Sequence, residues 1–421
     1  MPYSDQYFAN LYDLIACLTR AVDLVTPKVS SHHQKVAYMA FNIADAMRLS
    51  VDQKRTLVLA SLLHDIGSLS LDDNMDFFDE EPLTINNHAF IGARLFSSSP
   101  IMKNVAKVIK FHHIPWNNGE GNSYNGEEVS LLSHILHLSD RVAIRVNQDI
   151  NVISQIRSIK EYIKSASNSI FVPELVDTFM RICDEEALWL DLVYRPTIFN
   201  EQNDMSLQSI NLTLDETVDF TKILSQIIDF RSKFTATHSA GVAAVALKLA
   251  ELSGFSESEC KMMSIAGNLH DIGKLAIPRE ILEKADALEP AEYDIIKSHT
   301  FYTYHLLAPI SRFESIAQWA AYHHEKLNGH GYPFHIKADN LSLGARIMAV
   351  ADIFTAITED RPYRKGMPKE KAEAVLGHMV ENESISQPIV TLLIDNYATI
   401  ADLRKESEGH AAADYSKILS K

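Results

Sequence analysis

Apolar residues recur at three- and four-residue spacing from Tyr7 to Val25, through Phe8, Leu11, Leu14, Ile15, Leu18 and Val22, which predicts an amphipathic helix with one buried face. Val36 to Met47 and Arg55 to Leu63 repeat that period. Glu174 to Tyr194 reads as one long helix stopped by Arg195-Pro196, since proline lacks the N–H and clashes with the preceding turn. Residues 196–214, rich in Asn, Gln, Ser and Asp, read as a linker, and a new helical run begins near Leu214 with Thr213 or Asp215 as its cap. Sustained period-two alternation is absent, so the fold class is all-α. From Lys405 the chain turns polar, with Gly409 and an alanine run, and is expected to fray.

The string His-Asp-Ile-Gly occurs twice, at His64 and at His270, 206 residues apart. The same shift carries His32 onto His238 and Val36-Ala37 onto Val242-Ala243, and both histidines precede their His-Asp by 32 residues. From His64 the next steps, to His88, His112 and Asp140, are 24, 24 and 28; from His270, to His299, His323 and Asp352, they are 29, 24 and 29. Small insertions at loop positions on a shared register are the mark of a duplication. Two tandem helical bundle domains are expected, residues 1–195 and 215–421, joined by residues 196–214.

Composition narrows the function. With 421 residues, 46% hydrophobic and 22% charged, the chain can bury real cores. A net charge of −16 disfavours polymeric nucleic acid and anionic membrane as partners, so an anionic ligand would need cations and local basic residues to hold it. Three separated cysteines, Cys17, Cys183 and Cys260, argue against a disulfide framework. The first residues lack the basic segment and apolar core of a signal peptide, and no run is long enough to span a membrane, so a cytoplasmic location is expected.

His270-Asp271 offers an imidazole and a carboxylate side by side, and a carboxylate can bridge two cations. Histidines and carboxylates without thiolates suit octahedral first-row metals better than structural zinc. If His323 and His324 lay on a helix they would point about 100° apart, which is wasteful for one ion and sensible for two. Lys274, one turn after His270, can reach a phosphate oxygen or the leaving alkoxide. Gly329-His330-Gly331-Tyr332-Pro333 reads as a tight loop offering backbone and an aromatic ring to a flat ligand. Arg361 and Arg364 suit phosphate, while Arg346 is expected to be a structural ion-pair partner.

The His-Asp-x-Gly-Lys string, the run from His323 to Pro333 and the following Arg361-Pro362-Tyr363-Arg364 resemble the HD-GYP family of HD-domain metal-dependent phosphohydrolases, from about residue 215 to the end. The resemblance implies that His238, His270, Asp271 and Asp352 hold one divalent ion, with iron or manganese expected. It assigns the other ion to His299, His323 and His324 with Asp271 as the bridge. It gives Asp271 and Lys274 catalytic roles and Gly331, Tyr332, Arg361 and Arg364 substrate contacts. The implied reaction is hydrolysis of a cyclic dinucleotide, cyclic di-GMP or 3'3'-cGAMP, to a linear 5'-phosphorylated dinucleotide. Phe234 stands where some members carry a glutamate for a third metal, so two ions are expected; Thr355 stands where many have an aspartate. A worn HD domain ahead of an HD-GYP domain resembles the members that act on cyclic GMP-AMP. Two other readings stay open: a catalytically weak cyclic dinucleotide receptor, and a general nucleotide phosphohydrolase of the HD superfamily. A homodimer or a signalling partner is a further expectation.

The first half keeps the counterparts His32, His64, Asp65, His88, His112, His113 and Asp140, but Ser68 replaces the lysine, and neither Gly-Tyr-Pro nor Arg-Pro-Tyr-Arg follows. It reads as a degenerate domain kept for folding or dimer contact, with a metal-loaded regulatory domain and an independent hydrolase as the other readings.

Overall fold

The computed structural model describes residues 8–24, 31–70, 86–194, 210–230, 237–284, 286–360 and 364–419. Its helices form two compact units, residues 26–210 and residues 211–421 together with 1–25. The first helix, α1 (Leu11–Asp23), therefore belongs to the second unit, which departs from a domain division at residue 195. Its apolar face buries Leu11, Leu14, Ile15 and Leu18 completely, behind the 3-10 turn Ile272–Ala276 and a helix, Pro290–Leu307. Just before α1, Ala9–Asn10 pairs antiparallel with Asn211–Leu212. An amphipathic pattern says that a face is buried, not against what.

The first unit runs α2 (His32–Ala46), α3 (Val51–Leu63), α4 (Asn86–Ser97), α5 (Lys103–Lys110), α6 (Leu131–Arg145), α7 (Val152–Ser165), α8 (Pro173–Ile182) and α9 (Glu186–Tyr194). Helix α2 packs on α3, α6 and α8, and α4 on α5. The single long helix expected over Glu174 to Tyr194 is two, broken at Cys183–Glu185. The buried Trp189 indole donates to the Cys183 carbonyl at 2.8 Å, so a side-chain bond to the main chain six residues back holds the break open where the sequence has neither Gly nor Pro.

The second unit runs α10 (Leu214–Phe230), α11 (His238–Leu252), α12 (Glu257–Leu269), α13 (Arg279–Leu282), α14 (Pro290–Leu307), α15 (Glu314–Ala321), α16 (Leu343–Thr358), α17 (Lys369–Glu381), α18 (Gln387–Asp395) and α19 (Tyr397–Leu419). Thr213 caps α10, with Glu216 N–H donating to its Oγ1 and its own N–H donating to the Glu216 carboxylate. The expected frayed tail is instead helical: α19 continues through Lys405 and Gly409 and lies along α11, whose packing supplies the order that local composition does not.

The duplication extends to the caps. Ser50 with Gln53 closes a capping box on α3, and Ser256 with Glu259 closes one on α12, again 206 residues on. In both units the His-Asp pair ends the capped helix and a short 3-10 turn follows. Gly67 and Gly273 sit there because a Cβ would come within 2.1 Å of the His88 carbonyl oxygen and 1.9 Å of the His299 one. Glycine is thus what lets the turn touch the helix bearing the next histidine.

Candidate metal centres

In the second unit the N-terminus of α11 supplies His238, the C-terminus of α12 His270 and then Asp271, the middle of α14 His299, the turn after α15 His323 and His324, and the third turn of α16 Asp352. These residues converge. One ligand atom from each of His238, His270 and Asp352 lies within 4.8 Å of the others, and so does one from each of His299, His323 and His324. Asp271 stands between the groups, its Oδ2 3.1 Å from His270 Nε2 and its Oδ1 3.4 Å from His299 Nε2 and 4.0 Å from His323 Nε2. His323 and His324 follow the end of α15, so a turn brings both rings to one group with His299 instead of the helical divergence expected.

The ring tautomers follow from the main chain. Nδ1 of His270, His299 and His323 lies 2.8, 2.6 and 2.6 Å from the carbonyls of Gly267, Ile296 and Ala320, in each case three residues back. A carbonyl only accepts, so Nδ1 carries the proton and each Nε2 turns a lone pair inward. His270 Nε2 and Asp271 Oδ1 are buried without a hydrogen-bond partner. Lone pairs facing carboxylates in a buried site are a poor arrangement by themselves and a good one around cations. The donor set thus fits divalent metal.

Charge agrees with geometry. Burial depresses His299 to about 3 and His323 to about 4, leaving the neutral form that ligates metal. Burial would raise Asp271, yet His270 and Lys274 hold it well below the usual carboxylate range. Lys274 Nζ lies 2.6 Å from Asp271 Oδ2, the oxygen facing His270.

Sequence reasoning missed two carboxylates. Glu359, buried at the end of α16, places Oε2 3.0 Å from His238 Nδ1, while Nε2 of the same ring faces Asp352 at 3.2 Å. Burial pushes His238 down, but Glu359 and Asp352 outweigh it and hold the ring at about 10. The i, i+7 spacing from Asp352 on a helix was the available signal. Glu325, the third residue of His-His-Glu, is buried and accepts from the N–H groups of Phe334 at 2.7 Å and Ile336 at 3.0 Å, tying the far side of the glycine loop to its start. Gly331 crosses so tightly there that a Cβ would meet the Glu325 Cα at 2.4 Å.

Above His323 and His324 opens a cavity of about 800 Å³, walled in part by Tyr293, Phe301, Gly331, Tyr332 and Lys297. The Tyr332 ring lies 4.9 Å from that of His324, and burial pushes its phenol up, so it remains an O–H donor. Arg364 is not among the lining residues; its guanidinium donates to the Ala356 carbonyl at 2.6 Å. Arg346 braces the loop by donating to the carbonyls of Leu341 and Ala338, and among the described residues no ion pair is seen for it, against expectation. Thr355 is buried. Arg361 and Phe234 lie outside the described residues.

The first unit draws its seven residues together in the same way. His32, His64 and Asp140 form one group within 4.8 Å, and Asp65, His88, His112 and His113 another. His33, which the spacing did not single out, joins His64 and Asp65 in a further group.

Residues 222–385 match the HD domain family, and residues 29–145 match an HD domain a second time. The chain therefore carries two HD domains in tandem. It is homologous to 3'3'-cGAMP-specific phosphodiesterase 1 of Vibrio cholerae serotype O1, with 28% identity over 400 residues that cover 93% of each chain. A cyclic di-GMP phosphodiesterase of Thermotoga maritima is 36% identical over 155 residues, 36% of this chain and 42% of that one. The crystal structure of a cyclic GMP-AMP specific phosphodiesterase of V. cholerae shares the fold, with a TM-score of 0.63 and 23% identity over 94% of this chain and 98% of that one. No described helix is long and apolar enough to cross a membrane.

Proposed function

We propose that the second HD domain hydrolyses a phosphodiester of a cyclic dinucleotide, releasing a linear 5'-phosphorylated product, and that 3'3'-cGAMP is preferred over cyclic di-GMP. The observation that carries the reading is Asp271, whose two oxygens face separate histidine groups beneath an open cavity of about 800 Å³. Ligand pockets typically measure roughly 300–1,000 Å³, so the size suits a small nucleotide. Two divalent cations, iron or manganese, held by His238, His270, Asp271 and Asp352 and by Asp271, His299, His323 and His324, would supply an activated water and clamp the phosphodiester oxygens.

The chain's own groups do the rest. Lys274 fixes one oxygen of Asp271 and puts a positive charge where the leaving oxygen gains negative charge. The Tyr332 hydroxyl and Lys297 offer donors to phosphate, and the partly exposed rings of Tyr293 and Phe301 offer stacking faces to the bases. Glu359 orients His238, and Glu325 holds the loop that carries Tyr332. Arg364 remains a candidate phosphate contact that would have to leave the Ala356 carbonyl for the ligand, and Arg361 remains a candidate from the sequence.

The preference for 3'3'-cGAMP rests on the extent of the likeness, which runs through both domains for the cGAMP-specific relative and covers only part of the chain for the cyclic di-GMP one. The higher identity of the latter favours cyclic di-GMP as the second reading. Incubation of the purified protein with each nucleotide and manganese or ferrous iron, followed by chromatography, tests both. Linear product forming fastest from 3'3'-cGAMP is the expected result. Faster cleavage of cyclic di-GMP reverses the preference, and untouched substrate with every metal removes the enzymatic reading.

A further inference from the structure

We infer that Thr303 is a positioning residue for hydrolysis, its hydroxyl clamping the turn that carries Asp271 and Lys274. The inference rests on the reading of Asp271 as the bridge and of Lys274 as the charge beside the leaving oxygen. The Thr303 hydroxyl donates to the His270 carbonyl at 3.0 Å and accepts from the Gly273 N–H at 3.1 Å. One side chain thus ties the residue that caps α12 to the 3-10 turn that follows, and Asp271 lies between the two anchor points. Thr303 is fully buried, so solvent does not stand in for either bond.

A threonine inside a helix ordinarily spends its hydroxyl on its own helix, three or four residues back. Thr178, Thr300 and Thr358 do so, bonding the carbonyls of Glu174, Lys297 and Phe354 at 2.9, 2.9 and 2.6 Å. Thr303 instead reaches off α14 to another element. It stands one turn after His299, so the helix that brings a histidine to within 3.4 Å of Asp271 Oδ1 also grips the main chain on both sides of Asp271. The approach is close, since a Cβ on Gly273 would come within 2.9 Å of the Thr303 nitrogen. Lys274 is the next residue, and its N–H donates to the Asp271 carbonyl at 2.8 Å. The ammonium that reaches Asp271 Oδ2 therefore leaves from main chain held by the same clamp.

The first unit has no such hydroxyl. Four residues on from His88, the counterpart of His299, stands Gly92. Turn and helix meet as tightly there, with a Cβ on Gly67 falling 2.6 Å from the Gly92 nitrogen, yet Gly92 has no side chain to offer. Packing the turn on the helix therefore does not require a threonine, and the hydroxyl occurs in the unit that also has Lys274. Firm support matters most for groups that must meet developing charge, because a displacement of about 1 Å can cost roughly a hundredfold in rate.

Three variants of the full chain test the inference: Thr303→Val removes the hydroxyl and keeps the shape, Thr303→Ser keeps the hydroxyl without the methyl, and Thr303→Ala removes both. Activity is measured at saturating manganese(II) on whichever of 3'3'-cGAMP and cyclic di-GMP the wild type cleaves faster. Thr303→Val should lower kcat about 10- to 100-fold with KM within about twofold, and Thr303→Ser should stay within about threefold of wild type. Thr303→Ala should fall below Thr303→Ser by a factor similar to that separating Thr303→Val from wild type. Amide hydrogen exchange across residues 271–276 should quicken in Thr303→Val and Thr303→Ala and not in Thr303→Ser. Wild-type kcat in Thr303→Val, or equal loss in Thr303→Ser and Thr303→Ala, overturns the inference, and the second comparison decides alone if Thr303→Val does not fold. Exchange unchanged in every variant overturns it too; that readout needs no turnover, so failure of the clamp is told apart from failure of the enzymatic reading.

Discussion

Two HD units share one frame and differ at the rim. In the first, His113 is buried, Ser68 follows the His-Asp turn and the next loop is bonded down along the Ile170 strand of chain. In the second, His324 faces a cavity, Lys274 grips Asp271, and Glu325 carries the loop that presents Tyr332. The converging histidines and carboxylates are thus common to both, while among the described residues the lysine beside the aspartate and the loop that presents a tyrosine belong to the second alone. Water activation needs only the former; hydrolysis also needs the phosphodiester held in line, and positioning is worth several kcal/mol of barrier, on the order of 7–11 in favourable cases.

The largest effect that bears on this contrast is Asp271→Asn, which weakens the bridge and should lower turnover by at least about a thousandfold in a protein whose circular dichroism is unaltered. Persisting activity with full metal content would show the bridging assignment to be wrong. Next comes α1. A fragment of residues 211–421 lacks four fully buried apolar side chains, each contributing roughly 1.5–3 kcal/mol, a sum comparable to a typical domain's whole stability of about 5–15 kcal/mol. It should fail to show a cooperative melt, and mixing it with a peptide of residues 1–25 should restore one; a cooperative melt without the peptide would return α1 to the first unit.

Lys274→Ala should cost on the order of a hundredfold in kcat while leaving metal content at the wild-type level, as for loss of one preorganised charge. Parallel loss of metal would make Lys274 a structural partner of Asp271. Glu359→Gln should weaken metal binding by about 10- to 100-fold, measured by competition with a chelator, because the partner of a ligating histidine sets its orientation.

The smallest effect lies in the first unit. Burial and the neighbouring His137 depress His134 to about 4. An unfolded histidine titrates near 6.5, so the unfolded state takes up the proton first and stability falls as pH drops from about 6.5 toward 4. At pH 5 the loss is about 2 kcal/mol relative to pH 7. His134→Gln should melt with a shallower pH dependence across that interval, and identical slopes would mean that His134 binds its proton equally in the folded and unfolded states.

Much of this was legible in the chain because both histidine and carboxylate sets sit on a repeated register, and because apolar spacing marked α1, α2 and α3 within a few residues. The histidines and carboxylates converge as a cluster in each unit; in the second, His238, His270 and Asp271 stand at helix ends and His299 and Asp352 within helices. What escaped rests on particular contacts that no periodic pattern spells out. The break at Cys183 depends on Trp189, the order of the tail depends on α11, and the allegiance of α1 depends on a turn some 250 residues away. Glu359 was hidden for a different reason: it touches the ring of a ligand, and no motif spells out a partner one shell further from the ion.

The division of work between the units is tested most directly by single-turnover cleavage of 3'3'-cGAMP by two full-length double variants with matched circular dichroism. His270→Ala with Asp271→Ala should leave no measurable cleavage. His64→Ala with Asp65→Ala should slow it by no more than about threefold, under roughly 1 kcal/mol of barrier, with its principal effect a lower melting temperature. Equal and complete loss in both variants, at unchanged melting temperature and oligomeric state, would contradict the account and make the first unit part of the catalytic apparatus.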